Sequence, residues 1–282
     1  MKKILCLITA LMMCVMFAAC GEKAQTPSDN TNNDTDAAKT SYDNLGIACE
    51  LTSEEYGIAF RKGSDLTDEV NTLIDELTED GTLKDLASKY KLTLADVKSP
   101  EKTEATVKDI DYIKGNGKMV IGITEYEPMN YKDENGKWTG FDTEFAEAVC
   151  AKLGVTAEFI EIDWDNKFLA LESKSIDCIW NGMTISEEVL NNTSCTKAYV
   201  KNAQVVVMAK DKIKNYETPE SMADLKFAVE AGSAGASAAE EKGFSNIVEA
   251  GTQTDALLEV ASGSSDACII DLTMANAMLG IK

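Results

Sequence analysis

Two hydrophobic periods alternate along most of the chain. Met119–Thr124 (MVIGIT) is an almost unbroken apolar run that predicts a buried strand. From Phe141 to Leu153 the apolar residues recur at helical spacing, and Gly154 follows as a stop signal. Further strands are predicted at Val155–Ile162, Ile176–Trp180, Gln204–Ala209, Lys226–Glu230, near Ile247 and at Ala267–Ile270. Further helices are predicted at Lys167–Glu172, from the Gly-Ser-Ala-Gly turn after Glu230 to Lys242, and at Thr254–Ala261. Strands that alternate with helices predict an α/β fold with mostly parallel sheets, which bind ligands beyond the carboxyl ends of their strands.

The part of the chain ahead of these elements has its own pattern. Tyr56–Phe60 (YGIAF) predicts one strand. Apolar stripes at helical spacing then span Leu66–Leu77 and Leu83–Tyr90. Residues Lys98–Glu104 are polar and contain Pro100, which indicates a connector over residues 93–111.

The N-terminus has the features of a secretion signal. Residues 1–19 combine two lysines, an apolar run and small residues at the end. Phe17-Ala18-Ala19-Cys20 resembles a bacterial lipobox, with cleavage before Cys20 and lipidation of that cysteine; an ordinary signal with an incidental cysteine is the alternative. Residues 20–40 are too polar to build a core and predict a tether. We therefore expect a bacterial, extracytoplasmic protein that is held at the cell membrane by a lipid anchor.

Composition narrows the possible functions. The chain has 27 Lys and Arg residues against 48 Asp and Glu, a formal net charge of −21, and no His. So acidic a protein lacks the basic surface that nucleic acid requires. Without His there is no Ser-His-Asp triad and no His-ligated zinc site. We find no metal-ligand spacing or phosphate loop and expect no metal or cofactor. Cys150 and Cys178 fall in apolar patterns and are expected to be buried small hydrophobes.

Three motifs together resemble a known family. They are MVIGITEYEPMNYKDENGKWTGFDTEFAEAV, IDWDNKFLALESKSIDCIWNGMTI and AQVVVMAKD, within Met119–Lys210. These residues are similar to the first lobe of polar amino-acid-binding proteins of ABC importers, which have the type II periplasmic-binding-protein (Venus-flytrap) fold. Residues Lys212–Leu279 (LKFAVEAGSAGASA and DACIIDLTMANAM) are similar to its second lobe.

The resemblance implies a function as well as a fold. It implies a first lobe at residues 112–210, a second lobe at 211–282 and a small-molecule ligand, a polar amino acid or similar solute, between them. An ABC permease is the implied partner. We expect a monomer and a binding protein rather than an enzyme.

The order of the segments departs from the family. A stretch similar to residues 41–92 comes last in the family, where it follows the second lobe, crosses back and ends in packing helices. Here it comes first. The simplest interpretation is circular permutation, with residues 93–111 joining the old ends; permutation at exposed loops is tolerated. The alternative is a tail of one gene fused to a truncated copy of another.

The resemblance also implies the ligand-binding residues. Asp271 matches the acid that takes the ligand's ammonium group, although Asp at that place is also a good helix N-cap. Ser233 and Ala234 lie in a Gly-Ser-Ala-Gly turn that opens a helix, where backbone N–H groups bind carboxylates. The other implied residues are the aromatic pair Tyr126 and Trp164, with Tyr126 expected to be partly exposed, and the loop residues Asn181, Gly182 and Thr184.

One family residue is missing. The family has an arginine that clamps the ligand's carboxylate where this chain has Val189, and the only Arg in the chain is Arg61. Loss of such a pair weakens binding by about 2–5 kcal/mol. Lys197 and Lys201 are candidate substitutes, although Lys lacks the planar fork of Arg. Three hypotheses follow: a receptor for an importer, a sensor or receptor that has lost its amino-acid ligand, and a dehydratase-like enzyme that borrows the fold.

Overall fold

The structure is a computed structural model that describes residues 42–96, 104–216 and 218–281. The predicted signal, Cys20 and the tether lie outside these residues. The strands are β1 (Leu45–Glu50), β2 (Glu54–Arg61), β3 (Lys118–Ile123), β4 (Tyr131–Lys132), β5 (Trp138–Thr139), β6 (Thr156–Glu161), β7 (Cys178–Thr184), β8 (Thr193–Cys195), β9 (Val200–Asn202), β10 (Gln204–Ala209), β11 (Phe227–Glu230), β12 (Ile247–Ala250) and β13 (Ala267–Asp271). The α-helices are α1 (Leu66–Glu79), α2 (Thr82–Tyr90), α3 (Asp109–Asn116), α4 (Phe141–Leu153), α5 (Lys167–Glu172), α6 (Glu187–Asn192), α7 (Ala234–Glu241), α8 (Gln253–Ala261) and α9 (Leu272–Met278).

Two large sheets organise these elements. The first has the order β6-β3-β7-β2-β8, with β9 also paired to β2, and we call this sheet with its helices the first lobe. The second has the order β1-β10-β13-β11-β12 and forms the second lobe. The predicted α/β fold is therefore confirmed.

The expectation of mostly parallel sheets is wrong. Strand β3 is parallel to β6 and β7, and β11 is parallel to β12 and β13. In contrast, β2 is antiparallel to each of its neighbours, and β10 is antiparallel to β1 and β13. The reason is that β2 and β10 follow directly on β1 and β9, strands of the other sheet. A strand that runs parallel to its neighbour is reached by a long crossover, usually a helix. Strands β2 and β10 are instead reached by short connections from the other sheet, and they run antiparallel to their neighbours.

Residues 42–92 pack against both lobes of the same chain. Strand β1 pairs with β10 at the edge of the second sheet, whereas β2 lies between β7 and β8 inside the first. Helices α1 and α2 pack on each other and on α4. The side chains of Tyr56, Ile58 and Phe60 are completely buried. This segment is thus an integral part of the first lobe's core.

Helix α3 begins inside the range that the sequence indicated as a connector. Its first residue, Asp109, is buried and accepts hydrogen bonds from the guanidinium of Arg61, with an Nη2–Oδ1 distance of 2.9 Å. Arg61 also pairs with Asp177 at 3.0 Å. The single arginine of the chain therefore holds α3 and β7 to the end of β2, and it is not available to a ligand.

The cysteines within the described ranges are all free thiols. Cys150 and Cys178 are buried, as predicted. Cys49 and Cys268 are not paired with each other. No helix among the described residues has the length and apolar character needed to cross a bilayer.

Candidate functional site

A cavity of about 240 Å³ lies where the two lobes meet. The first lobe contributes Trp164, Lys167, residues 181–186 with the end of β7, and Glu188 and Val189. The second lobe contributes Glu230 at the end of β11, the turn into α7, Gln253 and Asp271. Because the ends of β7, β11 and β13 meet at this place, the cavity has the position that α/β sheets commonly use for ligands.

The structure brings most of the sequence-derived candidates together. The candidates that line the cavity are Trp164, Asn181, Gly182, Thr184, Ser233, Ala234 and Asp271. They come from four elements that are far apart in sequence. Their convergence on one cavity supports a common role, but their own polar groups are engaged in different ways.

Tyr126 does not line the cavity, and the expectation of partial exposure is wrong. Its side chain is only 2% exposed and belongs to the main hydrophobic core. Its hydroxyl lies 2.7 Å from the Tyr56 hydroxyl and also hydrogen-bonds Thr273 of the second lobe. The ring packs against Gly182, where a Cβ would come within 2.6 Å of Tyr126 Cε1. The flanking glutamates misled the prediction, because alternation turns Tyr126 inward while they face outward.

Asp271 is buried and has protein donors on both oxygens. Oδ1 accepts hydrogen bonds from the Tyr56 hydroxyl at 2.6 Å, from Gln204 Nε2 at 3.0 Å and from the Asn202 amide, and Oδ2 accepts one from the Gln253 amide. Burial raises the pKa of Asp271 well above its ordinary value, and Glu54 adds to the effect. Asp271 stands at the N-cap position of α9, but its side chain makes no cap bond. Three of the four donors go to Oδ1, so Oδ2, which accepts one hydrogen bond, keeps an open acceptor position.

Asn181 and Ser233 use their polar groups within their own lobes. The Asn181 amide donates to Thr124 O at 3.0 Å and accepts from Thr124 N at 3.1 Å, which ties the end of β3 to β7. The Ser233 hydroxyl accepts from Ala236 N at 3.1 Å and caps α7. Both residues therefore shape the cavity wall and fix the loops that carry it.

Lys167 is a cavity residue that the sequence did not single out. Its side chain is buried, with the whole residue 4% exposed, and Nζ lies over the rings of Trp164 and Phe168 at 5.3 and 4.7 Å from their centroids. Nζ donates to Trp164 O at 3.3 Å and, across the cleft, to Gly232 O at 2.8 Å. Burial lowers the pKa of Lys167, an effect that the nearby Glu188, Asp165 and Glu230 oppose.

Glu230 is the second cavity residue that sequence reasoning missed. It is 2% exposed, and its Oε1 has no hydrogen-bond partner in the described part of the chain. Burial raises the pKa of Glu230 to about 8, while Lys167 pulls it downward. Its place as the last residue of β11, immediately before a Gly-containing turn, was the available signal, because that is where a parallel sheet presents ligand-binding groups.

The two candidate substitutes for the missing arginine are placed elsewhere. Lys197 pairs with Asp75, and Lys201 pairs with Asp96 at 3.1 Å; neither lysine lines the cavity. Val189 does line it and is otherwise packed in an apolar cluster. Of these three lysines, Lys167 is therefore the one that lines the cavity. Within the described ranges, no group of His, Cys, Asp and Glu residues has the arrangement of a metal site.

Comparisons with known proteins agree with this architecture. The family model of bacterial extracellular solute-binding proteins, family 3, matches residues 119–264. The L-cystine-binding protein TcyJ of Escherichia coli (strain K12) is 36% identical over 80 residues, which are 28% of this chain and 30% of that protein. The arginine-binding extracellular protein ArtP of Bacillus subtilis (strain 168) is 31% identical over 168 residues, 56% of this chain and 62% of that protein. The chain thus spans between 30% and 62% of the length of these two curated relatives.

A solved structure extends the likeness to the fold. The arginine-bound form of truncated ArgBP from T. maritima superimposes with a TM-score of 0.58 at 31% identity, over 60% of this chain and 81% of that one. That protein has the type II periplasmic-binding-protein fold, so the fold implied by the sequence motifs is confirmed. Each of the three proteins compared here is named for binding an amino acid.

Proposed function

Since the chain belongs to the bacterial extracellular solute-binding proteins, family 3, we propose that it captures a polar amino acid or a related small solute between its lobes for an ABC importer. The observation that carries the proposal is the cavity at the strand ends, which is lined from both lobes. Ligand capture between two lobes is a hinge-closure mechanism, in which the bound solute bridges both halves.

The lining indicates which amino acids fit. Four glutamates (Glu54, Glu188, Glu230 and Glu241) and Asp271 line the cavity, whereas Lys167 is its one basic residue among those described. Like charges held close together repel in a medium of reduced dielectric constant. We therefore expect neutral and basic side chains on the ligand to be favoured over acidic ones. Trp164 supplies a flat apolar face for that side chain.

The proposal extends to where and how the protein works. Lipidation of Cys20 would anchor it outside the cytoplasm, with residues 20–40 as the tether and an ABC permease of the same membrane as partner. Circular permutation is part of the proposal: residues 42–92 supply a strand to each lobe, as a family C-terminal segment is expected to do, although they come first in the chain.

A second candidate function is a receptor that no longer serves amino-acid import. The observation in its favour is Val189, which presents an apolar surface where the family has a carboxylate-binding arginine. On this hypothesis the cavity binds a solute without a carboxylate, such as an amine, or no solute at all. Binding measurements separate the two candidates directly.

The test is a thermal-shift and calorimetric screen of the purified full chain. The panel contains L-arginine, L-cystine, L-glutamine, L-glutamate and agmatine, which is L-arginine without its carboxylate. A ligand at 1,000 times its Kd adds about 4 kcal/mol of stability, and each kcal/mol raises Tm by roughly 2–4 °C at this size. We expect a shift with at least one neutral or basic amino acid and none with L-glutamate. A response to agmatine alone would favour the second candidate, and no response at all would contradict the first.

A further inference from the structure

We propose that Glu54 and Asp271 form a carboxylate pair that holds one proton in the free protein, and that the ammonium group of the ligand replaces this proton when it binds. The inference rests on the proposed amino-acid-binding function. It keeps the ammonium group at Asp271, as the sequence motifs implied, and adds Glu54 and a proton that leaves to the solvent. Both acids line the cavity, Glu54 from the first lobe and Asp271 from the second.

Shared hydrogen-bond donors hold the two carboxylates side by side. Gln204 Nε2 donates to Glu54 Oε1 at 2.8 Å and to Asp271 Oδ1 at 3.0 Å. The Asn202 amide donates to the same two oxygens, with a distance of 2.6 Å to Glu54 Oε1. Glu54 begins β2, Asn202 ends β9 and Gln204 begins β10. The pair therefore lies where the chain crosses between the two lobes.

The surroundings of the pair supply no positive charge from the described residues. The donors that reach the two acids there are side-chain amides and the Tyr56 hydroxyl, which are neutral. Lys167, which lines the same cavity, interacts with three other acids, Glu188, Asp165 and Glu230. Two carboxylates held this close repel each other, and one of them keeps a proton unless a cation is present.

The neighbouring groups have mixed effects on that proton. Burial raises the pKa of Asp271 well above its ordinary value, and Glu54 raises it further, whereas the hydrogen bonds from Tyr56 and Gln253 oppose the increase. The hydroxyls of Tyr56 and Tyr126 face Asp271 from β2 and from the loop after β3. Burial raises the pKa of both tyrosines well above the ordinary value, so both stay neutral. The net result is a pair that retains its proton more strongly than an exposed acid does.

The pair also has free acceptor positions for a ligand. Asp271 Oδ2 accepts a single hydrogen bond, and Glu54 Oε2 accepts none from the described residues, whereas a carboxylate has about four acceptor positions. An ammonium group supplies N–H donors for these oxygens and the positive charge that allows both acids to ionise. On binding, N–H···O bonds form to the pair, and the proton that it held passes to the solvent.

Binding of this kind depends on pH. The free protein carries one more proton than the complex, so the proton competes with the ammonium group of the ligand. As long as the ligand amine is protonated, affinity increases as the pH rises towards the pKa of the pair, by up to about tenfold per pH unit, and levels off above that pKa.

The experiment titrates the full chain with L-arginine, L-cystine and L-glutamine by calorimetry at about pH 6.5, where free α-amino groups are protonated. Phosphate and imidazole buffers differ in ionisation enthalpy, so the difference in measured heat gives the number of protons released per bound ligand. Glu54→Gln removes one acid of the pair. Glu230→Gln removes the other buried glutamate of the cavity, and Glu241→Gln an exposed one. Thermal melts establish that each variant is folded.

We expect the wild type to release more than about half a proton per bound ligand and Glu54→Gln less than half of the wild-type number, because a single carboxylate ionises more readily than a pair. Glu230→Gln and Glu241→Gln should release about as many protons as the wild type.

The pH dependence of Kd gives a second readout. Between about pH 5.5 and 8 the affinity of the wild type should increase by at least about tenfold, and that of Glu54→Gln several-fold less. A merely structural role of Glu54 would instead weaken binding by the same factor at every pH.

Two kinds of result would overturn the inference, and they differ in what they say about function. If an amino acid binds the wild type without proton release, or if the release persists in Glu54→Gln and disappears in Glu230→Gln, the pair does not hold the proton and the proposed function stands without it. If none of the three amino acids binds the wild type, the proposed function and this inference fail together.

Discussion

At the scale of single residues, buried groups at the contact between the two lobes are tightly packed against their neighbours. Gly182 is one of them. Its φ of +56° is in the left-handed region, and a Cβ there would lie 2.6 Å from Tyr126 Cε1 and 3.2 Å from Tyr56 Cε2. Both tyrosines reach across to the second lobe through hydroxyl hydrogen bonds. The glycine therefore sets how closely β7 approaches the contact between the lobes.

We predict that Gly182→Ala destabilises the protein by about 1–3 kcal/mol more than Gly263→Ala, the cost of overpacking a filled site. Gly263 has a φ of +76° but open space around its Cβ position, so it isolates the backbone strain alone. Urea denaturation of both variants measures the difference. An equal decrease in unfolding free energy for both variants would show that the close approach of Gly182 to the tyrosines does not add to the destabilisation.

Glu230 makes stability depend on pH. Its pKa is about 8 in the folded protein against an ordinary value of 4.5, because burial disfavours the charged form. The folded state therefore binds more protons than the unfolded state between these values, and the unfolding free energy falls as pH rises through that window. Lys167, Gln253, Thr124 and Asp255 face the carboxyl group, with Lys167 and the two hydrogen-bonding side chains opposing the shift.

We predict that Glu230→Gln flattens this decline between pH 5 and pH 8, because the amide does not titrate. Denaturation curves at pH 5, 6, 7 and 8 test the slope. Glu79→Gln is the control, since it removes one acidic charge from an exposed site and leaves the general repulsion of an acidic protein almost unchanged. Identical slopes for the two variants would contradict the prediction.

At the scale of elements, the segment with β1 and β2 is bound to both lobes in different ways. Strand β2 is buried over most of its length and lies between β7 and β8, whereas β1 is an edge strand with half-buried side chains. A central strand fills the core on both faces, so its side chains contribute more to stability than those of an edge.

We predict that Ile58→Ala in β2 lowers the free energy of unfolding by about 2–5 kcal/mol, as is usual for a completely buried isoleucine. Ile47→Ala in β1 should lower it clearly less, because that side chain is only half-buried. The same substitution at two strands of one segment gives a matched pair for urea denaturation. A similar loss at both positions would indicate that β2 is not the firmly packed strand described here.

At the scale of the whole molecule, segment order and spatial order differ. Residues 42–92 complete the core of the first lobe and the edge of the second, and Tyr42 and Leu279 pack against the same hydrophobic cluster. Chain order does not enter the energy of packing, provided that the connections are short and unstrained. The interpretation as a circular permutation therefore predicts how a chain with its segments reordered will fold.

We predict that a chain with residues 104–281 first, joined by a flexible linker to residues 42–96, melts cooperatively within a few degrees of the original. A chain of residues 104–281 alone should not melt cooperatively, since it leaves β7 and β8 without the strand between them. Scanning calorimetry compares the two. If the shorter chain melts like the original, residues 42–96 are an appendage, and the interpretation as a fused tail gains support.

The local pattern of the sequence was sufficient for most elements. Helix α4 and strand β10 have the predicted bounds, and α5 coincides with its prediction, because hydrophobic period and stop signals act over a few residues. Helix α3 was missed because its amphipathic pattern is short and follows a polar stretch. Strand β1 was missed although residues 45–49 form a short apolar run, because Gly46 and Ala48 have low strand propensity.

The sequence by itself determined the alternation of strands and helices, the family resemblance and the loops at the strand ends, since each depends on residues close together in the chain. Tertiary structure alone decided how those loops are used. It buried Tyr126, surrounded Asp271 with hydrogen-bond donors from three other segments, and brought Lys167 into a cavity with Glu230. The physical reason is that hydrogen-bond satisfaction and charge compensation are set by neighbours in space. Lys167 and Glu230 are 63 positions apart, so their proximity in space leaves no local pattern in the sequence.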